Sequence, residues 1–129
     1  MLNINKLSQI PIYEQIIDEV EKRILQGVFT HELPSVRQLS QTLSINPNTL
    51  QKAFVDLENR GICFSVPGSG RFVSQDAVAI INREKKGYLK EIEKQTKILA
   101  MNNVSEEEII QSVQKAYQEY LLSKEGDTK

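Results

Sequence analysis

The side chains best equipped for recognition chemistry lie together at Asn46, Asn48, Thr49, Gln51 and Lys52. Asparagine and glutamine amides can pair bidentately with an adenine edge, threonine can meet a base or a phosphate, and lysine can reach guanine or phosphate. An ordinary solvated helix face would carry the same polar residues. In the first 75 residues basic and acidic side chains balance, so affinity for a polyanion depends on where Arg37, Lys52, Arg60 and Arg71 sit. Catalytic chemistry finds no comparable constellation. His31, the sole histidine, stands in a polar stretch without a carboxylate and nucleophile pattern, and is expected to be exposed. Cys63, the sole cysteine, has no intramolecular disulfide partner and reads as a small buried residue in a strand. No His or Cys cluster has metal-ligand spacing, so neither a catalytic residue, a metal nor a cofactor is expected.

The elements that must position these residues follow from periodicity and caps. Pro11 suits a first helical position, and Ile12, Tyr13, Ile16, Ile17, Val20, Ile24 and Leu25 recur at helical spacing before Gly27. Ser35 and Gln38 have the spacing of a capping box, which predicts a short second helix with Val36, Leu39 and Leu43 as its stripe. Asn46 as N-cap and Pro47 as first residue open a third helix running to Arg60. Its apolar positions Leu50, Ala53, Phe54 and Leu57 turn Asn48, Lys52, Val55 and Asn59 outward, flanked by Thr49 and Gln51. After Gly61, Ile62, Phe64 and Val66 alternate as in a half-buried strand, Pro67-Gly68-Ser69-Gly70 turns, and Arg71-Phe72-Val73 returns. Gly68-Ser69-Gly70 is too short for a phosphate loop and is explained by that turn. The expected class is mainly α (α+β), a winged helix-turn-helix domain over residues 1–75. Such a wing can touch a nucleic-acid backbone or minor groove, and the same fold also serves as a protein-docking module.

Several ordered motifs resemble the GntR family: Leu33-Pro34-Ser35-Val36-Arg37-Gln38-Leu39, Ile45-Asn46-Pro47-Asn48-Thr49-Leu50, Leu57-Glu58-Asn59-Arg60-Gly61 and Gly68-Ser69-Gly70-Arg71-Phe72-Val73. The stretch Pro11-Ile12-Tyr13-Glu14-Gln15-Ile16 is similar to the family's first helix, and the short remainder resembles the YtrA subfamily with its two-helix tail. The resemblance implies that Arg37 contacts phosphate or base and that Asn46, Asn48 and Thr49 face a DNA groove. Gly68 and Gly70 would shape the wing; Gln51, Lys52, Ser69 and Arg71 complete the candidate DNA-binding set. Two departures stand out. The segment Gly27-Val28-Phe29-Thr30-His31-Glu32-Leu33 is shorter than the family pattern, and Arg71 replaces a small hydroxyl residue, giving the wing a positive charge. The resemblance further implies a repressor acting on its own operon, often one encoding an ABC-type transporter.

Residues 76–129 are expected to form a helical dimerisation tail. Asp76 to Met101 reads mostly as one helix, weakened at Gly87, with Ile81, Tyr88, Ile92 and Leu99 near one face and Arg83-Glu84-Lys85-Lys86 as a solvated patch. Ser105 and Glu108 suit a capping box, Val104 and Ile109 a hydrophobic staple, and Ile109, Val113, Ala116, Tyr117, Tyr120 and Leu121 a second stripe. A lone helical hairpin of this size buries little, so pairing with a second copy is expected, which also matches a palindromic double-stranded DNA operator. Tyr88, Tyr117 and Tyr120 then read as bundle core, and a small-molecule effector, if there is one, would be small or bind between subunits. The chain has no membrane-length apolar stretch and its N-terminus lacks the order of a secretion signal, which predicts a cytoplasmic protein. Two readings stay open: a sequence-specific DNA-binding regulator, or a winged-helix module for a protein partner. The net charge of −1 and pI near 5.9 favour the second, and the convergence of Asn46, Asn48, Thr49, Lys52 and Arg71 favours the first.

Overall fold

The computed structural model describes residues 2–127. In chain order they form α1 (Ile12–Leu25), α2 (Val36–Leu43), α3 (Pro47–Asn59), β1 (Cys63–Val66), β2 (Gly70–Val73), α4 (Ala77–Lys86), α5 (Tyr88–Met101) and α6 (Glu106–Asp127). Two compact units divide between Lys85 and Lys86. In the first, α3 packs against α1, α2 and β1. Its stripe Leu50, Ala53, Phe54 and Leu57 is fully enclosed, meeting Ile16, Val20 and Ile24 of α1, Leu39 of α2, and Ile62 and Cys63 at the foot of the hairpin. Burying four such side chains stabilises this arrangement by roughly 1.5–3 kcal/mol for each large one.

The helix ends obey local chemistry. Ser35 Oγ accepts from the Gln38 N–H at 3.0 Å while Gln38 Oε1 accepts from the Ser35 N–H at 3.2 Å, a complete capping box. Asn46 Oδ1 accepts from the Asn48 N–H at 2.8 Å and Pro47 takes the first turn of α3. Pro11 stands one residue earlier than its sequence suggests, at the N-cap of α1. Between α2 and α3 the chain turns at Ser44, which adopts a left-handed conformation with φ of 54°.

The hairpin pairs Cys63 with Val73, Phe64 with Phe72, Ser65 with Arg71 and Val66 with Gly70. The alternation of Ile62, Phe64 and Val66 does not make a half-buried strand. Ile62 and Cys63 are both buried, whereas Phe64 and Val66 are exposed, because no second layer covers a two-stranded ribbon beyond its foot. Phe64 instead stacks on Phe72 across the strands, with ring centroids 6.0 Å apart. The shortened segment before Leu33 is also more than a loop. It runs beside β2, with the Val73 N–H donating to the His31 carbonyl at 2.7 Å and the Leu33 N–H to the Arg71 carbonyl at 2.9 Å. Gly70 is required there, since it holds φ of 118° and a Cβ would lie 3.0 Å from Glu32 Oε1.

The first unit extends ten residues beyond the expected limit at Gln75, to Lys85. Ala77 and Ile81 of α4 are buried in the core, and the run 83–86 is not simply a solvated patch. Glu21 of α1, only 3% exposed, meets Arg60 at 2.8 Å through Oε1 and Lys85 at 2.8 Å through Oε2. Arg60 also pairs with Asp56 at 3.2 Å and Glu84 at 2.9 Å. The Glu84 hydrogen bond first, then those from Glu21 and Asp56, outweigh burial and hold the Arg60 guanidinium protonated above its ordinary range. Arg60 in turn holds the Glu84 carboxyl below its ordinary value.

The second unit comprises α5 and α6. Helical bonding is interrupted at Gly87, where a single helix to Met101 was expected, although Gly87 keeps helical angles of −60° and −23°. Glycine weakens a helix interior by up to about 1 kcal/mol, which makes it the natural point of division. Ser105 Oγ accepts from the Glu108 N–H at 3.1 Å to start α6. Val104 and Ile109 are half-buried, but no described residue of this unit is fully buried.

Arg60→Ala leaves Glu21 facing Lys85 alone, so it should destabilise the chain by about 3 kcal/mol, the lower end for breaking a buried pair, read from urea unfolding. Arg83→Ala, at an exposed site of α4, should change stability by less than about 0.5 kcal/mol; equal losses would remove the special place of Arg60. A second expectation concerns acid. Because the folded state binds the Glu84 proton less tightly than the unfolded chain, its contribution is full above the ordinary value of 4.5 and drains as pH falls through the lower folded value. The stability gap between the wild type and Glu84→Gln should therefore hold from pH 7 to about 5 and close below about 4; a gap that widens in acid would contradict this.

Candidate nucleic-acid interface

The α3 stripe that faces the core leaves the opposite side of the helix at the surface. Asn48, Gln51 and Lys52 are exposed there and Thr49 is half-buried, as their spacing requires. Asn46 is exposed, but its amide oxygen is engaged as the α3 cap, so what it can offer a ligand is its amide N–H2 group. Lys52 Nζ lies 4.8 Å from the centroid of the Tyr13 ring. The Tyr13 hydroxyl donates to Asp56 Oδ2 at 2.9 Å, and that hydrogen bond, more than any other influence, raises the Tyr13 pKa. A lysine over an aromatic face keeps its charge while losing some of its freedom. Arg37 is exposed on the first turn of α2.

Gln51 and the wing residues Gly68, Ser69 and Arg71 line one cleft of about 390 Å³ with the start of α2. Arg37, Asn48, Thr49 and Lys52 lie outside it. The Ser69 N–H donates to the Val66 carbonyl at 2.9 Å and closes the wing turn, leaving Gly68 and Ser69 exposed at its tip.

Arg71 is engaged within the protein. Its Nε donates to Glu58 Oε1 of α3, and the guanidinium carbon sits 5.1 Å from the centroid of the Phe54 ring. The same Glu58 oxygen accepts from Ser65 Oγ of β1. Burial works to raise the Glu58 pKa, but the hydrogen bonds from Ser65 and Arg71 and the charge of Arg71 outweigh it and hold the carboxyl below its ordinary value. The positive charge expected on the wing is therefore balanced within the protein. Arg60 is likewise paired within the protein, with three carboxylates.

Sequence reasoning overlooked Glu58 and Tyr13. The available signal for Glu58 was an acid two helical turns after Gln51, just before a strand pair carrying Arg71. For Tyr13 there was none, because its partners Lys52 and Asp56 are some forty positions away. Elsewhere the surface offers little chemistry. Burial, with some help from Glu58, pushes the Cys63 thiol up to about 11, so it stays protonated near neutral pH. His31 is exposed. Among the described residues no group of His, Cys, Asp or Glu could hold a metal, and no helix is long and apolar enough to cross a membrane.

Residues 12–73 match the family described as bacterial regulatory proteins, gntR family. The HTH-type transcriptional repressor YtrA of Bacillus subtilis (strain 168) is 38% identical over 97 residues, which are 74% of this chain and 75% of that protein. Among solved structures, a GntR family transcriptional regulator from Listeria monocytogenes is 29% identical with a TM-score of 0.65, over 87% of this chain and 98% of the other. YtrA from Sulfolobus acidocaldarius, a GntR-family transcription factor, is 27% identical with a TM-score of 0.55, over 70% of this chain and 97% of its own.

Proposed function

The chain belongs to the GntR family of DNA-binding bacterial transcriptional regulators, and on that premise we propose that it is a cytoplasmic repressor that reads a palindromic operator as a homodimer. The observation that carries this reading is the acid-poor exposed start of α3, with Asn48, Gln51 and Lys52 at the surface and the tip of the wing across the cleft from Gln51. Asn48, Thr49 and Gln51 read base edges, Asn46 caps the helix beside them, and Arg37 and Lys52 take phosphates. Gly68 and Ser69 bring the wing tip to the backbone or minor groove. Similarity to a repressor named YtrA supports the repressing sense, with the chain's own operon, one for an ABC-type transporter, as the target.

The homodimer reading rests on the second unit. Tyr88, Ile92, Val113, Tyr117 and Tyr120 are each at least half exposed, and an apolar groove of about 450 Å³ runs between α5 and α6. A second copy covering these faces would set two recognition helices about a two-fold axis, the symmetry of a palindrome. An effector, if one acts, would be small or lie between subunits. One observation favours the other reading, a protein-docking module: Arg60 and Arg71 are both neutralised internally and the net charge is −1. A gel-shift titration with DNA from upstream of the chain's own coding region separates the two, since equal binding to that DNA and to scrambled duplex at every salt concentration would favour docking.

On its operator, Asn48→Ala should lose about 1–3 kcal/mol and relax preference at one position per half-site, with non-specific binding little changed. Arg37→Ala should weaken operator and scrambled DNA alike and reduce the salt slope by about one. Binding isotherms at several salt concentrations decide the matter; discrimination that survives Asn48→Ala but vanishes in Arg37→Ala would reverse the two roles. In sedimentation, the full chain should be a dimer and a fragment ending at Lys85 a monomer. That end point keeps Ala77 and Ile81 in the core, and a stable dimer of the fragment would move the interface into the first unit.

A further inference from the structure

Glu58 joins three elements at one oxygen. It projects from α3, accepts Ser65 Oγ from β1 and accepts Arg71 Nε from β2, directly across the ladder position where Ser65 and Arg71 pair. Arg71 is further constrained on its other side by the ring of Phe54, a residue with no exposed surface. The Arg71 side chain is 16% exposed and that of Glu58 25%, so a planar guanidinium is held between a carboxylate and an aromatic face with little water around it. The hairpin is anchored at its foot, where Cys63 is buried and Val73 packs against the core; Phe64, one position nearer the foot than Ser65, and Val66, one position nearer the tip, are both exposed. Backbone hydrogen bonds with His31 and Leu33 also tie β2 to the segment before α2.

We propose that Glu58 is a positioning residue that clamps the wing to the recognition helix through Arg71 and Ser65, and that Arg71 serves DNA binding by this clamp and not by touching phosphate. The inference rests on the DNA-reading function proposed above and adds a residue to it that makes no contact with DNA. Without this side-chain link the wing tip would sample more separations from α3, and binding would then have to select the competent one. Glu58 removes that freedom before DNA arrives. The carboxylate also occupies the Arg71 Nε–H that a phosphate would otherwise use.

The test uses the full chain, the variants Glu58→Met, Arg71→Gln and their double, and a duplex that the wild type selects from a random-sequence pool. Each single variant should bind that duplex about tenfold more weakly and the double variant no more weakly than either single, as expected for groups acting as one coupled unit. The salt slope of Arg71→Gln should equal that of the wild type, because no phosphate contact is lost. A slope reduced by about one, or penalties that multiply in the double variant, would overturn the clamp. NMR of the free chain gives an answer that does not involve DNA. The Arg71 Nε–H signal should be sharp and slowly exchanging in the wild type and lost to rapid exchange in Glu58→Met, with the Gly68, Ser69 and Gly70 amides exchanging faster as well. Unchanged wing amides in Glu58→Met would also overturn it. Should the wild type select no duplex, the DNA-reading function fails, while these free-chain signals still decide the clamp.

Discussion

The burial of one stripe of α3 governs the rest of the first unit. A helix has a fixed angular advance, so committing Leu50, Ala53, Phe54 and Leu57 to the interior leaves no choice about which residues face outward. The Asn46 cap and Pro47 set where the helix starts, which fixes how Asn48, Thr49, Gln51 and Lys52 are phased against that stripe. Rotating the helix to alter its outer face would expose Phe54 and drive a polar side chain into the core, at a cost of several kcal/mol. The proposed recognition surface is in this sense a by-product of packing: α1, α2 and β1 grip one side and so present the other.

Charge follows the same economy. The enclosed carboxylate of Glu21 has two cations beside it, Arg60 and Lys85. Since Lys85 lies at the end of α4, the ion pair draws that helix onto the first unit together with Ala77 and Ile81. Arg71 is consumed in the same way by Glu58. A neutral composition thus conceals two different populations of cations. Some hold helices and wing together inside the protein, and others, Arg37 and Lys52 among them, stand at the surface.

What the sequence made legible was whatever depends on neighbours in the chain. Ser35 with Gln38, Asn46 with Pro47, and the period of Leu50, Ala53, Phe54 and Leu57 are local signals, and each element they mark is present. The readings that failed depend on distant partners. Phe64 and Val66 alternate as a buried face would, yet no other layer reaches them. Arg60 and Glu21 are separated by 39 positions, so although Asp56 four residues earlier marks a local partner, nothing near Arg60 announces the buried one. The pairing of His31 and Leu33 with β2 joins segments some forty residues apart and leaves no composition signal in the intervening loop. Among the candidate site residues, exposure on α3 was therefore predictable, while the use of Arg71 was not.

The two units differ in how complete they are alone, and the difference bears on the proposed function. The first closes a core around α3, whereas in the second Leu89, Tyr117 and Leu122 are each about 60% or more exposed. An unaccompanied two-helix hairpin gains little burial to offset the entropy of ordering it, so in the proposed homodimer a second copy would contribute to folding as well as to assembly. Pairing also answers the scarcity of surface cations. With few phosphate contacts available to one winged unit, a single half-site would be held weakly and would be sensitive to salt. Once a first half-site is occupied, the second unit of a dimer meets its own half-site at high effective concentration, and affinities that are modest separately combine without any new contact. The apolar faces of α5 and α6 would in this way supply the affinity that a DNA-facing surface with few cations lacks.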